Sequence, residues 1–493
     1  MRSSPGTIPP STLPSWRRVE PWAAALALGG CALRLARGLG PAPFYNSDCA
    51  VPILLMQGMG EGAFTLFYPR QDRFGMWPFL LGRALHLQTP EAYHPLSVLV
   101  LCSAALPLSA VLGSPALGVL TLMVPFVLSQ SVVWNFLQAG QPYLWQVVAL
   151  CWAWWACRVS IGGGSPRRRW LALLGFFVAA ALATWMNTAS LAALLAVGVL
   201  EVFRARARPR PRRALGALAA LGAAGAVDAA LRARYSAYCL RTFGQRFVTP
   251  LRIDHGHVLA NIGRVVASLR HEGGLWPLLV GILAVAVPRR PRTERFDGLS
   301  LLAFGASVLP GLVLIRYFRT NDFAGRYLSL PTFWALAAAV HGVVLLASSL
   351  AGRFRWAVPA VALAALLIAM PAGPADPIAG PRADAARLAA AGPAVLLADY
   401  LEVYVPASLA PRGVLVPVGA EGNLNRFPGT VAELRPGRLV LAPCALDRPD
   451  GTLEQHGALL RRTGETPIAA AAIHWCRHAV ERAARPLPGE RPP

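Results

Sequence analysis

Long apolar runs, separated by short polar segments, fill the chain as far as residue 371. An apolar run of about 20 residues can cross a bilayer as a single helix. The first run covers 21–33, and the later ones cover 94–112, 115–133, 142–157, 170–185, 188–203, 215–231, 274–287, 298–315, 328–350 and 356–371. The pattern predicts a mainly α protein, a polytopic transmembrane helix bundle of about eleven spans.

The pattern changes after residue 371, where Gly, Pro and Ala form a linker that leads to residue 388. Short apolar segments at 395–404, 413–418 and 438–443 predict strands, and 452–462 predicts a helix. The chain therefore divides into a membrane domain, 1–373, and a small C-terminal α/β domain, 374–493. Cys444 and Cys476 lie in this tail, and they could form a disulfide if the tail lies outside the cytoplasm.

The composition is that of a membrane protein, since 55% of the 493 residues are hydrophobic and 14% are charged. The chain has no lysine, so arginine supplies the fixed positive charge behind a formal net charge of +23. Arginines cluster at 17–18, 158–169, 204–213, 289–295 and 353–355, and the predicted spans place all of these clusters on one side of the membrane. The positive-inside rule places that side and the N-terminus in the cytoplasm, and the C-terminal domain outside it. No soluble segment combines a basic face with interleaved aromatics, which excludes nucleic-acid binding.

The first apolar run admits two competing interpretations. Arg17 and Arg18 precede it, as basic residues precede the apolar part of a cleaved signal peptide. The L-G-G-C stretch at 28–31 also resembles a lipoprotein processing site. Because apolar runs continue along the chain, we favour a first membrane span.

The stretch 44–75, which follows the first span, combines acids, arginines, aromatics and glycines. Asp48 lies just beyond the span, where its carboxylate could act as a general base or position an acceptor. The alternative is a helix start, because N-S-D before an apolar run is a fair N-cap sequence. Both can hold if Asn46 or Ser47 caps the helix and Asp48 occupies its first turn.

Arginine suits phosphate because its guanidinium forms forked, permanently charged contacts. Three arginines are predicted to lie on the same side of the membrane as Asp48, namely Arg70, Arg73 and Arg326, and Tyr45 and Asn46 precede Asp48 in the chain. These five are the candidate substrate- and phosphate-binding residues. The alternative for each arginine is interfacial snorkelling beside an aromatic belt.

A metal site is not predicted. His255 and His257 form a His-Gly-His pair in a mixed loop that also holds Asp254 and His271, which is weak evidence for a metal, and the chain has no C-x-x-C motif. We expect no cofactor; a divalent metal stays open as an alternative that no motif supports.

Several of these motifs together resemble bacterial GT-C glycosyltransferases, the group that includes protein O-mannosyltransferases and lipid A aminoarabinose transferases. N-S-D-C-A-V-P-I-L-L-M at 46–56 and G-A-F-T-L-F-Y-P-R-Q at 62–71 look like the first-loop signature of that group. G-R-Y-L-S-L-P at 325–331 is similar to an element that opens a late span, and D-Y-L-E-V-Y at 399–404 resembles one in the tail of relatives. Relatives commonly carry two adjacent acids where this chain has Asp48 and Cys49, so only Asp48 inherits the carboxylate role.

The resemblance implies a glycosyltransferase of the bacterial inner membrane. It would move a monosaccharide from a polyprenyl-phosphate donor to a periplasmic or lipid-linked acceptor, with the donor and membrane lipid as its partners. A transporter or flippase for a lipid-linked substrate is one alternative, and it would need inverted repeats and mid-span polar groups. A non-catalytic membrane scaffold is another. The sequence does not indicate the oligomeric state.

Overall fold

A computed structural model gives the fold, and most of the chain is described in it. The described residues are 16–38, 45–59, 62–69, 71, 74–138, 143–162, 165–205, 211–246, 255–271, 274–286, 292–315, 325–351, 357–371, 376, 378–421, 425–470 and 472–484.

Helices make up the described part of the chain as far as residue 371, and each predicted apolar run overlaps at least one of them. Their bounds are α1 Trp16–Gly38, α2 Ser47–Met56, α3 Trp77–Ala84, α4 Pro90–Ser103, α5 Ala105–Leu112, α6 Pro115–Leu128, α7 Gln130–Leu137, α8 Tyr143–Ile161, α9 Pro166–Met186, α10 Ser190–Arg204, α11 Pro211–Phe243, α12 Val258–His271, α13 Leu275–Ala286, α14 Arg292–Ala306, α15 Leu309–Leu314, α16 Ser329–Leu350 and α17 Ala357–Ala369. The mainly helical class predicted from the sequence is confirmed.

The predicted number of spans is not confirmed. Within the described residues, six helical stretches are long and apolar enough to cross a membrane, or seven if α6 and α7 form one broken span. Those two helices meet at an angle of 104°. The bend lies at Ser129, whose extended backbone ends α6 and whose side chain accepts a hydrogen bond from the Val132 N–H at the start of α7.

About eleven spans are therefore not confirmed. The apolar runs at 188–203, 274–287 and 356–371 form helices of 15, 12 and 13 residues, which are shorter than the roughly 17–25 residues that a span needs.

The tail carries one sheet and two further helices, α18 Ala379–Ala389 and α19 Tyr400–Leu409. The strands are β1 Ala394–Ala398, β2 Leu415–Gly419, β3 Leu439–Pro443, β4 Thr452–Gln455, β5 Ala458–Arg462, β6 Ile468–Ala470 and β7 Ile473–Arg482. Their order is β2-β1-β3-β7-β5-β4, with β6 paired to β7. The pairs of β1 with β2 and β3 are parallel, and the remaining pairs are antiparallel. The predicted small α/β tail is present, and the division near residue 373 stays a prediction.

Two predictions within the tail were wrong in detail. The segment 452–462 is a hairpin of β4 and β5 and not a helix, because His456 and Gly457 both adopt positive φ, at 52° and 76°, as a two-residue hairpin turn requires. The segment 395–404 is a strand only as far as Ala398, because Asp399 and Glu402 form a capping box that starts α19.

A disulfide joins Cys444, which follows β3, to Cys476 in β7. Strands β3 and β7 are antiparallel neighbours, and Ala442 is the register partner of Cys476. The bridge therefore links two segments that the sheet already holds side by side.

The tail packs directly on the helical bundle through α2 and α19. The Tyr45 hydroxyl lies 2.9 Å from the Ser408 hydroxyl, and the Gln57 amide donates to the Ser408 carbonyl at 2.9 Å. Both contacts converge on Ser408 near the end of α19, so this helix packs against the one that carries Asp48.

Candidate active site

Helix α2 holds Asp48 at its exposed end. The Asn46 side chain caps the helix by accepting a hydrogen bond from the Cys49 N–H at 3.1 Å. Every described residue of α2 other than Asp48 is buried, so the helix is anchored along its whole length. Because Asn46 takes the capping role, the Asp48 carboxylate is available for other partners, and its side chain remains 26% exposed.

Three side chains from distant segments meet at the Asp48 carboxylate. The hydroxyls of Tyr68 and Tyr400 both donate to Oδ1, the former at 3.2 Å. The Arg326 guanidinium lies on the other oxygen, with Nη1 3.4 Å from Oδ2. The carboxylate is thus held by the loop after α2, by the segment before α16, and by the first turn of α19.

Arg426, from the C-terminal domain, braces the two tyrosines. Its guanidinium carbon lies 5.0 Å from the Tyr68 ring centroid and 5.2 Å from that of Tyr400. It donates to the Pro69 carbonyl at 3.1 Å, and its backbone N–H donates to the Tyr404 hydroxyl at 2.6 Å. Arg426 is only 6% exposed, so the C-terminal domain supplies a buried charge directly behind the site.

The surroundings keep these groups in defined protonation states. Burial, together with the negative charge of Asp48, raises the pKa of Tyr68 and of Tyr400, so both remain hydrogen-bond donors. Burial opposes the charge on Arg426, but the facing Tyr68, Tyr400 and Asp48 raise its pKa overall.

Arg326 is the accessible cation of the site. Its side chain is 38% exposed, and Nη2 donates to the Tyr327 hydroxyl at 3.3 Å. Burial acts to lower its pKa, whereas Tyr327 and Asp48 act to raise it, and the net direction is upward. Arg326 therefore presents a permanent positive charge next to a partly exposed carboxylate.

The structure brings together two of the residues singled out from the sequence, Asp48 and Arg326. Tyr45 lies nearby but binds Ser408 through its hydroxyl, and Asn46 is exposed and caps α2. Arg70 and Arg73 lie outside the described residues.

His255 and His257 are exposed on a short 3₁₀ turn. Across the described part of the chain, no three His, Cys, Asp or Glu side chains form a group that could hold a metal ion.

Tyr68, Tyr400 and Arg426 were not predicted as site residues. A sequence signal existed for two of them, since Tyr68 lies in the first-loop stretch and Tyr400 opens the D-Y-L-E-V-Y element. Arg426 lies more than 350 residues from Asp48 in the sequence and carries no local motif. Its role at the site follows only from the packing of the tail against α2.

The arrangement suits proton transfer beside an anionic group. A carboxylate can take a proton from a hydroxyl or amine that approaches its exposed side. A guanidinium within hydrogen-bonding distance of the same carboxylate can bind a phosphate and stabilise charge that develops on it.

No protein-family model and no curated protein sequence matches the chain. Solved structures do match it. ArnT from Cupriavidus metallidurans in the apo state is 12% identical over 93% of this chain and 97% of that chain, with a TM-score of 0.52. The same protein bound to undecaprenyl phosphate is 11% identical over 94% of this chain and 98% of that chain, also with a TM-score of 0.52.

A third structure, the Archaeoglobus fulgidus oligosaccharyltransferase in a complex with Zn and sulfate, is 11% identical over 86% of this chain and 68% of that chain, with a TM-score of 0.46. ArnT is a lipid A aminoarabinose transferase and a member of the GT-C superfamily. The predicted resemblance is thus confirmed at the level of the fold.

Proposed function

We propose that this protein is an integral-membrane inverting glycosyltransferase of the GT-C type, which transfers a monosaccharide from a polyprenyl-phosphate donor. One observation carries the proposal: within an ArnT-like fold, the partly exposed Asp48 carboxylate contacts the accessible Arg326 guanidinium, with Nη1 and Oδ2 3.4 Å apart. The pair offers a base and a phosphate-binding cation at one place.

Asp48 acts on the acceptor. Its carboxylate takes the proton of the acceptor hydroxyl or amine as that atom attacks the anomeric carbon of the sugar. The bond between this carbon and the phosphate oxygen breaks, and the electron pair leaves with the phosphate. A single displacement of this kind inverts the anomeric centre and leaves Asp48 protonated. The Tyr68 and Tyr400 hydroxyls hold Oδ1, so Oδ2, which also contacts Arg326, is the oxygen that takes the acceptor proton.

Arg326 acts on the donor. The departing polyprenyl phosphate gains negative charge, and an adjacent guanidinium stabilises it. Support for this class of donor comes from the ArnT structure that is bound to undecaprenyl phosphate. Arg70 and Arg73 remain candidates for the same phosphate.

We place the protein in the bacterial inner membrane, with the N-terminus in the cytoplasm and the C-terminal domain in the periplasm. Two features support this orientation. Arginines 167–169 lie at the start of α9, whereas Trp185 near its end donates to the Leu66 carbonyl in the loop of Tyr68. Since α9 has 21 residues, the two ends are about 30 Å apart. The arginine-rich end thus lies a bilayer thickness away from Asp48.

A transfer assay tests the proposal. Purified protein in proteoliposomes is supplied with labelled polyprenyl-phosphate sugars and membrane acceptors. The wild type should release polyprenyl phosphate in step with labelled product, and Arg326→Gln should lower the rate by about 10²-fold. Arg387→Gln removes an exposed arginine of α18 and serves as the matched control. Movement of the intact donor across the bilayer without cleavage would instead favour the transporter alternative.

A further inference from the structure

A large apolar cavity lies at the arginine-rich end of the bundle, far from Asp48. It has a volume of about 550 Å³ and lies between α8, α9, α10 and α11. Its walls include Phe176, Leu194, Gly198 and Leu221. This volume falls within the roughly 300–1,000 Å³ range of ligand pockets. Because the walls are apolar, they offer water few hydrogen-bonding groups.

The cavity opens towards the side of the bundle. Leu195 and Val199 of α10 are 48% and 46% exposed, and Leu215 and Leu218 of α11 are 62% and 54% exposed, and all four line it. In a membrane protein, such exposed apolar side chains face lipid tails. A hydrocarbon chain can therefore enter the cavity sideways from the bilayer.

A smaller basic recess adjoins the cavity. It has a volume of about 230 Å³, and Arg169, Arg212 and Arg213 line it. The two spaces meet α8 and α11 at neighbouring residues: Ser160 and Arg213 line the recess, and the next residues in the sequence, Ile161 and Ala214, line the cavity.

The local charge favours an anion in the recess. Within the described residues, neither Arg169 nor Arg212 forms an ion pair. The carboxylate of Glu201, on α10 near the cavity, is engaged by Arg158, with Oε1 2.6 Å from Nη2. Arg213 donates to the carbonyls of Ile161 and Gly162, which holds its guanidinium at the recess.

We propose that the cavity and the recess together bind one anionic glycerophospholipid. An acyl chain fills the apolar cavity, and the phosphate lies among Arg169, Arg212 and Arg213. Forked arginine contacts suit a phosphate, and basic pockets between membrane helices on the arginine-rich side are the usual place for anionic head groups. The site is separate from the sugar-transfer site, and the proposal does not depend on that activity.

Native mass spectrometry of the delipidated full-length protein tests the proposal, with dioleoyl phosphatidylglycerol as the probe. The wild type should bind one molecule of dioleoyl phosphatidylglycerol, at least ten-fold more tightly than it binds dioleoyl phosphatidylcholine. Gly198→Leu should weaken this binding at least ten-fold, because a Cβ at Gly198 meets open space and a leucine would fill the cavity. Gly222→Leu is the matched control, since that glycine of α11 is also open but lies outside the cavity.

The charges need their own pair of variants. Arg169→Gln with Arg212→Gln should weaken phosphatidylglycerol binding at least ten-fold, whereas Arg167→Gln with Arg168→Gln removes the same charge outside the recess and should leave binding unchanged. Equal binding of the two lipids, or equal loss in the test and control variants, would overturn the proposal. The proposal would also be overturned if the protein bound undecaprenyl phosphate but not phosphatidylglycerol, and if Gly198→Leu abolished that binding.

Discussion

Arg426 offers a sharp test of the link between the C-terminal domain and the site. Replacing Arg426 with Met keeps a long side chain but removes the charge. It removes the cation–π contacts with Tyr68 and Tyr400 and the hydrogen bond to the Pro69 carbonyl. Each cation–π contact contributes about 0.5–2 kcal/mol. A hydrogen bond to a charged group contributes about 1.5–3 kcal/mol, so about 2.5–7 kcal/mol of favourable interaction is lost.

The same change also relieves a penalty. Burying a guanidinium costs several kcal/mol, and Arg426 is only 6% exposed. The two effects are of similar size and opposite sign, so we expect the free energy of unfolding to change by less than about 2 kcal/mol. Sugar transfer should respond far more. The tyrosines that hold Asp48 Oδ1 lose their brace, and a small misplacement of a catalytic group can cost about 10²-fold in rate.

Two measurements separate these outcomes. Unfolding is followed with a thiol-reactive dye, because the six free cysteines of the described chain are buried. Transfer is followed with labelled donor in proteoliposomes. Arg435→Met removes an arginine of the same domain whose side chain is 58% exposed, and should behave as the wild type. Transfer by Arg426→Met at the wild-type rate would show that Arg426 does not position the tyrosines for catalysis.

Two further predictions concern stability. Replacing both Cys444 and Cys476 with Ser should lower the unfolding free energy of the C-terminal domain by about 3–4 kcal/mol, since the bridge closes a loop with a sequence separation of 32 residues; thermal melting with and without reductant measures this. Glu201→Gln should destabilise the bundle by about 1.5–3 kcal/mol, because it weakens one of the two carboxylate contacts of the buried Arg158, which also pairs with Asp297. Arg158→Met should cost more, because it removes the closest partner of both buried carboxylates; thermal melting compares the two variants, and a smaller loss for Arg158→Met would contradict the prediction.

The helical part of the fold was largely predictable. Apolar runs force helices, because backbone groups in a bilayer must bond internally. The span count was not predictable to the same degree, since hydrophobicity alone does not reveal that α10 has only 15 residues or that Ser129 breaks α6 from α7. In the tail, the His456-Gly457 turn outweighed the helical propensity of its flanks.

Two of the five residues at the candidate site could be predicted from the sequence. Asp48 and Arg326 are charged residues in a chain with few charges, placed at predicted membrane borders, so they stood out. Tyr68 did not, because an aromatic at such a border is ordinary, and Tyr400 and Arg426 did not, because they lie in the C-terminal domain, beyond the last predicted span. Their roles arise from tertiary contacts that place the C-terminal domain against α2, and no local pattern encodes those contacts.

The most direct measurement compares Asp48→Asn with the wild type in two assays: binding of undecaprenyl phosphate and turnover of a polyprenyl-phosphate sugar. The variant keeps the size of the side chain and removes the base. Asp384→Asn, an Asp of α18 that pairs with Arg387, is the control. We expect the variant to bind the lipid within a few-fold of the wild type and to turn over about 10²–10⁴-fold more slowly. Turnover at the wild-type rate, with equal expression, would contradict this expectation.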